Sequence, residues 1–132
     1  MKSDVPTNAQ WHVRRQAAIS SGMSTMLPVY IERAENAELW DVEGRRFIDF
    51  AGGIAVVNTG HLHPRVKAAV TKQLEAFTHT CVMITPYGVA VELAEKLNAL
   101  VPGTAPKKTM LVTTGAEAVE NAIKIARAHT RR

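Results

Sequence analysis

Apolar residues recur along this chain in several patterns, and each predicts a different element. Met110, Leu111 and Val112 form a short continuous apolar run, followed by Thr113 and Thr114, which is the pattern of a buried strand. Gly115 then lets the backbone turn sharply and lets a ligand approach closely. Ala118, Val119, Ala122, Ile123 and Ala126 recur at helical spacing behind it. Thr114 and Glu117 stand at capping-box spacing, so the helix is predicted to begin here. A strand, a glycine turn and a helix start present unpaired N–H groups and a partial positive charge, which together suit a phosphate. The same joint without a ligand is a tight connection into a capped helix, and spacing alone does not separate the two readings.

Upstream, residues 1–10 are polar and read as loose chain, and Trp11–Ala18 reads as a short helix broken by Ser20, Ser21 and Gly22. Three short strands are predicted next, at Val29–Ala34, Leu39–Val42 and Arg46–Phe50. Leu39, Trp40, Val42, Phe47, Ile48 and Phe50 supply β-favouring bulk, while Asp41, Arg46 and Asp49 supply polar alternation. Asn36-Ala37 and Glu43-Gly44 supply the turns, giving a small antiparallel meander that must pack on something to be stable. Gly52-Gly53 beside an apolar patch permits either a close backbone approach or a plain bend; the first makes Ile54 a pocket wall and the second makes it core. Pro64 opens a helix whose apolar face is Val66, Ala69, Val70, Leu74 and Phe77. Pro86 opens another, Tyr87–Leu100, with Ala90, Leu93, Ala94 and Leu97 facing inward. A central strand at 110–112 needs neighbours on both sides, and the chain offers no obvious ones, so the expectation is an incomplete α/β fold.

Composition narrows the function classes. The chain has 132 residues, 46% of them hydrophobic and 21% charged, a globular balance. The formal net charge of +4 comes with no basic run interleaved with aromatics, which argues against nucleic acid as a partner. No apolar run is long enough to cross a membrane, and the first 21 residues lack the core of a secretory signal, so a cytoplasmic protein without a membrane partner is expected. Cys81 is the single cysteine, so no intrachain disulfide is expected. His61, His63, His79 and Cys81 offer ligand-like pairs for zinc, but their spacing fits no common finger and no metal is expected.

Four segments read together carry a resemblance: Leu39–Val56 (LWDVEGRRFIDFAGGIAV), Asn58–Pro64 (NTGHLHP), Phe77–Thr80 (FTHT) and Thr113–Arg127 (TTGAEAVENAIKIAR). In this order and at these separations they resemble the N-terminal part of the class III pyridoxal-phosphate aminotransferases, most of all the bacterial 4-aminobutyrate aminotransferases. The resemblance runs from about Trp11 to His129. It implies a piece of a fold-type-I α/β aminotransferase: an N-terminal arm (1–28), an antiparallel meander and glycine loop of the small domain (29–62), and the first strand–helix unit of the large cofactor-binding domain (63–132). It also implies a homodimer that moves an amino group from an ω-amino acid such as 4-aminobutyrate to a 2-oxo acid such as 2-oxoglutarate, with acetylornithine or ornithine as alternative donors. The cofactor would be pyridoxal 5'-phosphate.

Residue by residue, Gly115 and Ala116 match the positions whose backbone contacts the cofactor phosphate, and Ile54 matches a hydrophobic residue lining the substrate pocket. Many relatives carry Ser where this chain has Ala116, which removes a hydroxyl donor but keeps the N–H. The loop Cys81-Val82-Met83 departs from relatives with an aromatic residue and Gln at its second and third positions. Lys2, Lys67, Lys72, Lys96, Lys107, Lys108 and Lys124 match none of the family's catalytic positions, and no residue here is assigned a catalytic role. If these residues were the whole protein, the Schiff-base lysine would be missing and the chain should be inactive, a truncated interaction protein instead.

Overall fold

The computed structural model describes residues 5–131, which pack as two units that divide after Phe77. In the first unit, helix α1 (Asn8–Ala18) precedes strands β1 (Ile31–Glu35), β2 (Glu38–Asp41) and β3 (Arg46–Ile48), a turn α2 (Gly52–Ala55) and helix α3 (Pro64–Ala76). In the second unit, α4 (Gly88–Leu100) and α5 (Gly115–Thr130) flank an irregular stretch.

Helix α1 starts three residues earlier than its apolar spacing predicts. Thr7 and Gln10 form a reciprocal capping box: the Thr7 hydroxyl accepts from the Gln10 N–H and Gln10 Oε1 accepts from the Thr7 N–H. The polar stretch read as loose therefore holds a helix start, while its first four residues lie outside the described residues. Trp11 stacks on Tyr30 with ring centroids 6.3 Å apart, and the Arg14 guanidinium lies over the same indole.

The strands form the expected meander, antiparallel and in the order β1-β2-β3. A register shift between Ile31 and Arg33 bulges β1, and Arg33 covers the Trp40 ring at 3.5 Å. Asn36 turns the first hairpin at φ 50° and Gly44 the second at φ 78°. β3 ends at Ile48 rather than Phe50, because the Asp49 carboxylate takes the next N–H groups and bends the chain away.

Asp41, which supplies polar alternation in the meander, is the most buried side chain described, at 1% exposure. Its carboxylate accepts from the Asn8 amide (2.9 Å), the Glu43 and Arg45 N–H groups (3.0 and 2.8 Å) and the Arg45 guanidinium (2.7 Å). Asn8 in turn accepts from the Tyr30 N–H, so this latch fastens α1 to the sheet. Burial pushes the Asp41 pKa up, but the hydrogen bonds from Arg45, Asn8 and Glu43 outweigh it and hold the pKa below the ordinary value of 3.8.

Two sequence expectations change in the structure. The apolar faces assigned to α3 and α4 are not covered by the described residues: Val66, Val70, Leu74, Leu93 and Leu97 stay exposed, and Ala90 is the buried hydrophobic residue among those described. Residues 110–112 enter no ladder among the described residues. A strand is held by a neighbour's N–H and C=O groups, and none stands beside it here. Thr109 still ties this stretch to α4 through Asn98 Oδ1 at 2.8 Å. No described helix is long and apolar enough to cross a membrane.

Candidate functional site

The three residues singled out from the sequence fall in two places. Ile54 belongs to the first unit, and Gly115 and Ala116 open α5 in the second.

At the α5 entrance, Thr114 is the N-cap in extended conformation, with φ −133° and ψ 158°. Its hydroxyl accepts from the Glu117 N–H at 3.1 Å. Glu117 Oε2 reaches back to the N–H groups of Thr113 (2.8 Å) and Thr114 (3.1 Å). Ala118 N–H donates to the Thr114 carbonyl, closing the first turn. The N–H groups of Gly115 and Ala116 remain as the pair that these bonds do not use. They sit side by side at the positive end of a 16-residue helix.

The expected reason for Gly115 is corrected. Thr114 is extended and Gly115, the first residue of α5, is not among the residues at positive φ, so no sharp turn requires glycine here. A Cβ placed on it would meet no atom within 4 Å. The chain's own backbone and packing therefore do not require a glycine here, while its bare surface leaves room for a large anion to approach. These residues fit a phosphate group: two donors, an open approach and a favourable helix end.

Around Ile54 the backbone is strained. Gly52, Gly53, Ile54 and Ala55 have φ of 51°, 64°, 61° and 63°, so α2 is a single left-handed turn. It is closed by the Ala55 N–H to the Ala51 carbonyl (3.0 Å) and the Val56 N–H to the Gly52 carbonyl (2.8 Å). Glycine enters this region freely, but Ile54 and Ala55 each cost about 1–2 kcal/mol there. None of the described residues buries Ile54, whose side chain is 91% exposed.

A clamp that the sequence reading missed holds this turn. Asp49 Oδ1 accepts from the N–H groups of Ala51 (3.1 Å) and Gly52 (2.9 Å), and Oδ2 meets His61 Nε2 at 2.7 Å. His61, the hydrogen bond first among the causes, together with the Gly52 N–H, holds the Asp49 carboxyl below its usual range against a smaller opposing effect of burial. The base is tied too: Asp49 N–H donates to the Ala37 carbonyl, and Asn36 and His61 exchange both backbone hydrogen bonds. Gly60, at φ 81°, packs so close that a Cβ would lie 3.1 Å from Asn36 Cα. The signal in the sequence was Asp49 three residues before Gly52, the spacing at which a carboxylate caps a turn; it was read as strand alternation instead.

The 81–85 loop forms its own turn, with Ile84 and Thr85 N–H groups on the Cys81 carbonyl, and leaves Met83 exposed. His61 is engaged with Asp49, and among the described residues no three His, Cys, Asp or Glu side chains gather into a possible metal site.

The chain is similar to known proteins. The aminotransferase class-III family model matches residues 19–132. The chain is 60% identical over 126 residues to a 5-aminovalerate aminotransferase of Pseudomonas aeruginosa, covering 96% of this chain and 30% of that protein. It is 56% identical over the same length to a 4-aminobutyrate aminotransferase of Escherichia coli, again 96% of this chain and 30% of the relative. Among solved structures it is similar to an acetylornithine aminotransferase from Elizabethkingia anophelis, with a TM-score of 0.81 and 29% identity over 92% of this chain and 30% of that one. An ornithine aminotransferase from Plasmodium yoelii gives a TM-score of 0.81 at 26% identity, over 92% and 31% of the two chains. The chain thus spans about 30% of the length of the curated relatives it matches.

Proposed function

Because the chain belongs to the class III aminotransferases, we propose that it serves in pyridoxal-phosphate-dependent transfer of an amino group from a short ω-amino acid to a 2-oxo acid. The observation that carries this reading is the N–H pair of Gly115 and Ala116, left open at the start of α5 by the Thr114–Glu117 capping box. On this reading the two N–H groups hold the cofactor phosphate, with the helix end adding a favourable field. The cofactor, once bound, supplies the electron sink that makes the amino-bearing carbon acidic. Ala116 contributes its N–H alone, without the hydroxyl that a serine would add.

Ile54 is the apolar wall against which the methylene chain of the donor lies, presented outward by the strained turn. A hydrophobic wall discriminates by chain length, because each methylene gained or lost there is worth about 1–3 kcal/mol. The donor we favour is 4-aminobutyrate, or 5-aminovalerate with one more methylene, and 2-oxoglutarate is the acceptor. Residues 29–62 would belong to the small domain and 63–132 to the start of the cofactor domain, in a cytoplasmic homodimer.

The test is turnover by the native protein with ω-amino acids of three to six carbons and 2-oxoglutarate. Glutamate formed fastest with the four- or five-carbon donor is the expected result. Absence of glutamate with every ω-amino donor, in protein that binds the cofactor, would sink the proposal.

A further inference from the structure

The loop from Asp49 to His61 is tied at its base and strained at its tip. Three ties close the base: the Asp49 N–H on the Ala37 carbonyl (2.8 Å), the paired backbone bonds of Asn36 and His61 (3.0 and 2.8 Å), and the Asp49 carboxylate on His61 Nε2 (2.7 Å). From that base the other carboxylate oxygen reaches the Ala51 and Gly52 N–H groups, the first two donors of the left-handed turn. A β-branched residue such as Ile54 does not hold φ 61° unaided, so surrounding bonds must fix it. The Asp49 side chain is hydrogen-bonded both to the turn and to the base, and it is 8% exposed.

We infer that Asp49 is a positioning residue for substrate selection: with His61 it holds the left-handed turn that presents Ile54. It does not touch the substrate; it acts through the backbone of Ala51 and Gly52. This rests on the reading of Ile54 as a substrate wall, and it adds the device that sets where the wall stands. Loss of the carboxylate frees the turn to relax toward negative φ, moves the Ile54 side chain, and blurs discrimination between donors that differ by one methylene.

The experiment uses the native holoenzyme and its Ile54→Ala, Asp49→Ala, Asp49→Asn and His61→Phe variants. Steady-state constants are measured for ω-amino acids of three to six carbons, and the isoleucine methyl groups are followed by NMR. Asp49→Ala is expected to flatten the chain-length preference in kcat/KM about ten-fold, in the same direction as Ile54→Ala, with most of the change in KM. Asp49→Asn keeps an acceptor for the two N–H groups and should recover part of the preference. The Ile54 methyl signal should shift or broaden in Asp49→Ala, while those of Ile19 and Ile31 stay in place; a merely structural role would move all three. If Asp49→Ala does not fold, His61→Phe carries the same comparison, since it removes one tie and leaves the others. An unmoved Ile54 methyl and an unchanged preference in Asp49→Ala, beside a changed preference in Ile54→Ala, would overturn the inference and leave the wall reading intact. An unchanged preference in Ile54→Ala would remove the wall reading, and the substrate role of Asp49 with it.

Discussion

The Asp49–His61 loop and the entrance of α5 both carry glycine, and they treat it in opposite ways. The loop is closed. Asp49 and the Asn36–His61 pair bind the groups at its base, and a Cβ on Gly60 would crowd the Asn36 backbone at 3.1 Å. The α5 entrance is open. Its capping box satisfies Thr113, Thr114 and Glu117 and does not use the Gly115 and Ala116 N–H groups, and a Cβ on Gly115 would meet no atom within 4 Å. In the first region glycine is required by the chain itself, through positive φ and close contact. In the second the described residues place no such demand on it, and the proposed phosphate site would use its open approach.

The largest expected effect lies on the closed side, in the neighbouring latch. Asp41→Ala strands the Asn8 amide, the Arg45 guanidinium and two N–H groups at once. It should release α1 from the sheet and lower thermal stability more than any other substitution named here. Amide exchange of α1 checks this, and protected α1 amides in the variant would break the closed-region account. Next comes Ala116→Ser on the open side. A hydroxyl beside the N–H pair should tighten phosphate binding by roughly 1.5–3 kcal/mol, about ten-fold or more in Kd, read by cofactor titration.

A matched pair of glycine substitutions sharpens the contrast further. Gly60→Ala, at positive φ and against Asn36, should destabilise by more than about 1 kcal/mol. Gly115→Ala, in open space at a helix start, should be neutral to the fold or stabilise it by up to about 1 kcal/mol. Thermal melts of the two variants decide it; equal effects would erase the distinction. The smallest effect is with pH. Asp41 and Asp49 have folded pKa values below their ordinary 3.8, so their stabilisation is complete above that value and is lost as pH falls through the lower folded values. The meander should therefore loosen only in strong acid, visible in the amide signals of Arg45 and Gly52. Loosening that begins near neutral pH would contradict this.

The sequence made the meander, the helix starts at Pro64 and Thr114, and the phosphate-suited joint legible, because each rests on short-range spacing of turn, cap and apolar residues. The two aspartates were misread for one physical reason. Alternation along a strand says which positions are polar, not whether a polar side chain faces water or a set of donors. Asp41 and Asp49 each draw partners from turns and from residues up to 33 positions away, and no local pattern reports such partners. The left-handed turn is half legible: the glycine pair marks a special backbone, but no local pattern extends positive φ to Ile54 and Ala55. The strand at 110–112 shows the converse limit, since a strand-like run becomes a strand only beside another.

The central claim is that the Gly115 and Ala116 N–H groups hold the cofactor phosphate, and Gly115→Pro in the native protein tests it most directly. Proline suits the first helical position, and the extended Thr114 before it is already compatible, so α5 should keep its helix and its capping box. The substitution removes one of the two donors. The account predicts unchanged thermal stability of the cofactor-free protein and a cofactor Kd raised about ten-fold or more. An unchanged Kd in a folded Gly115→Pro protein would contradict it.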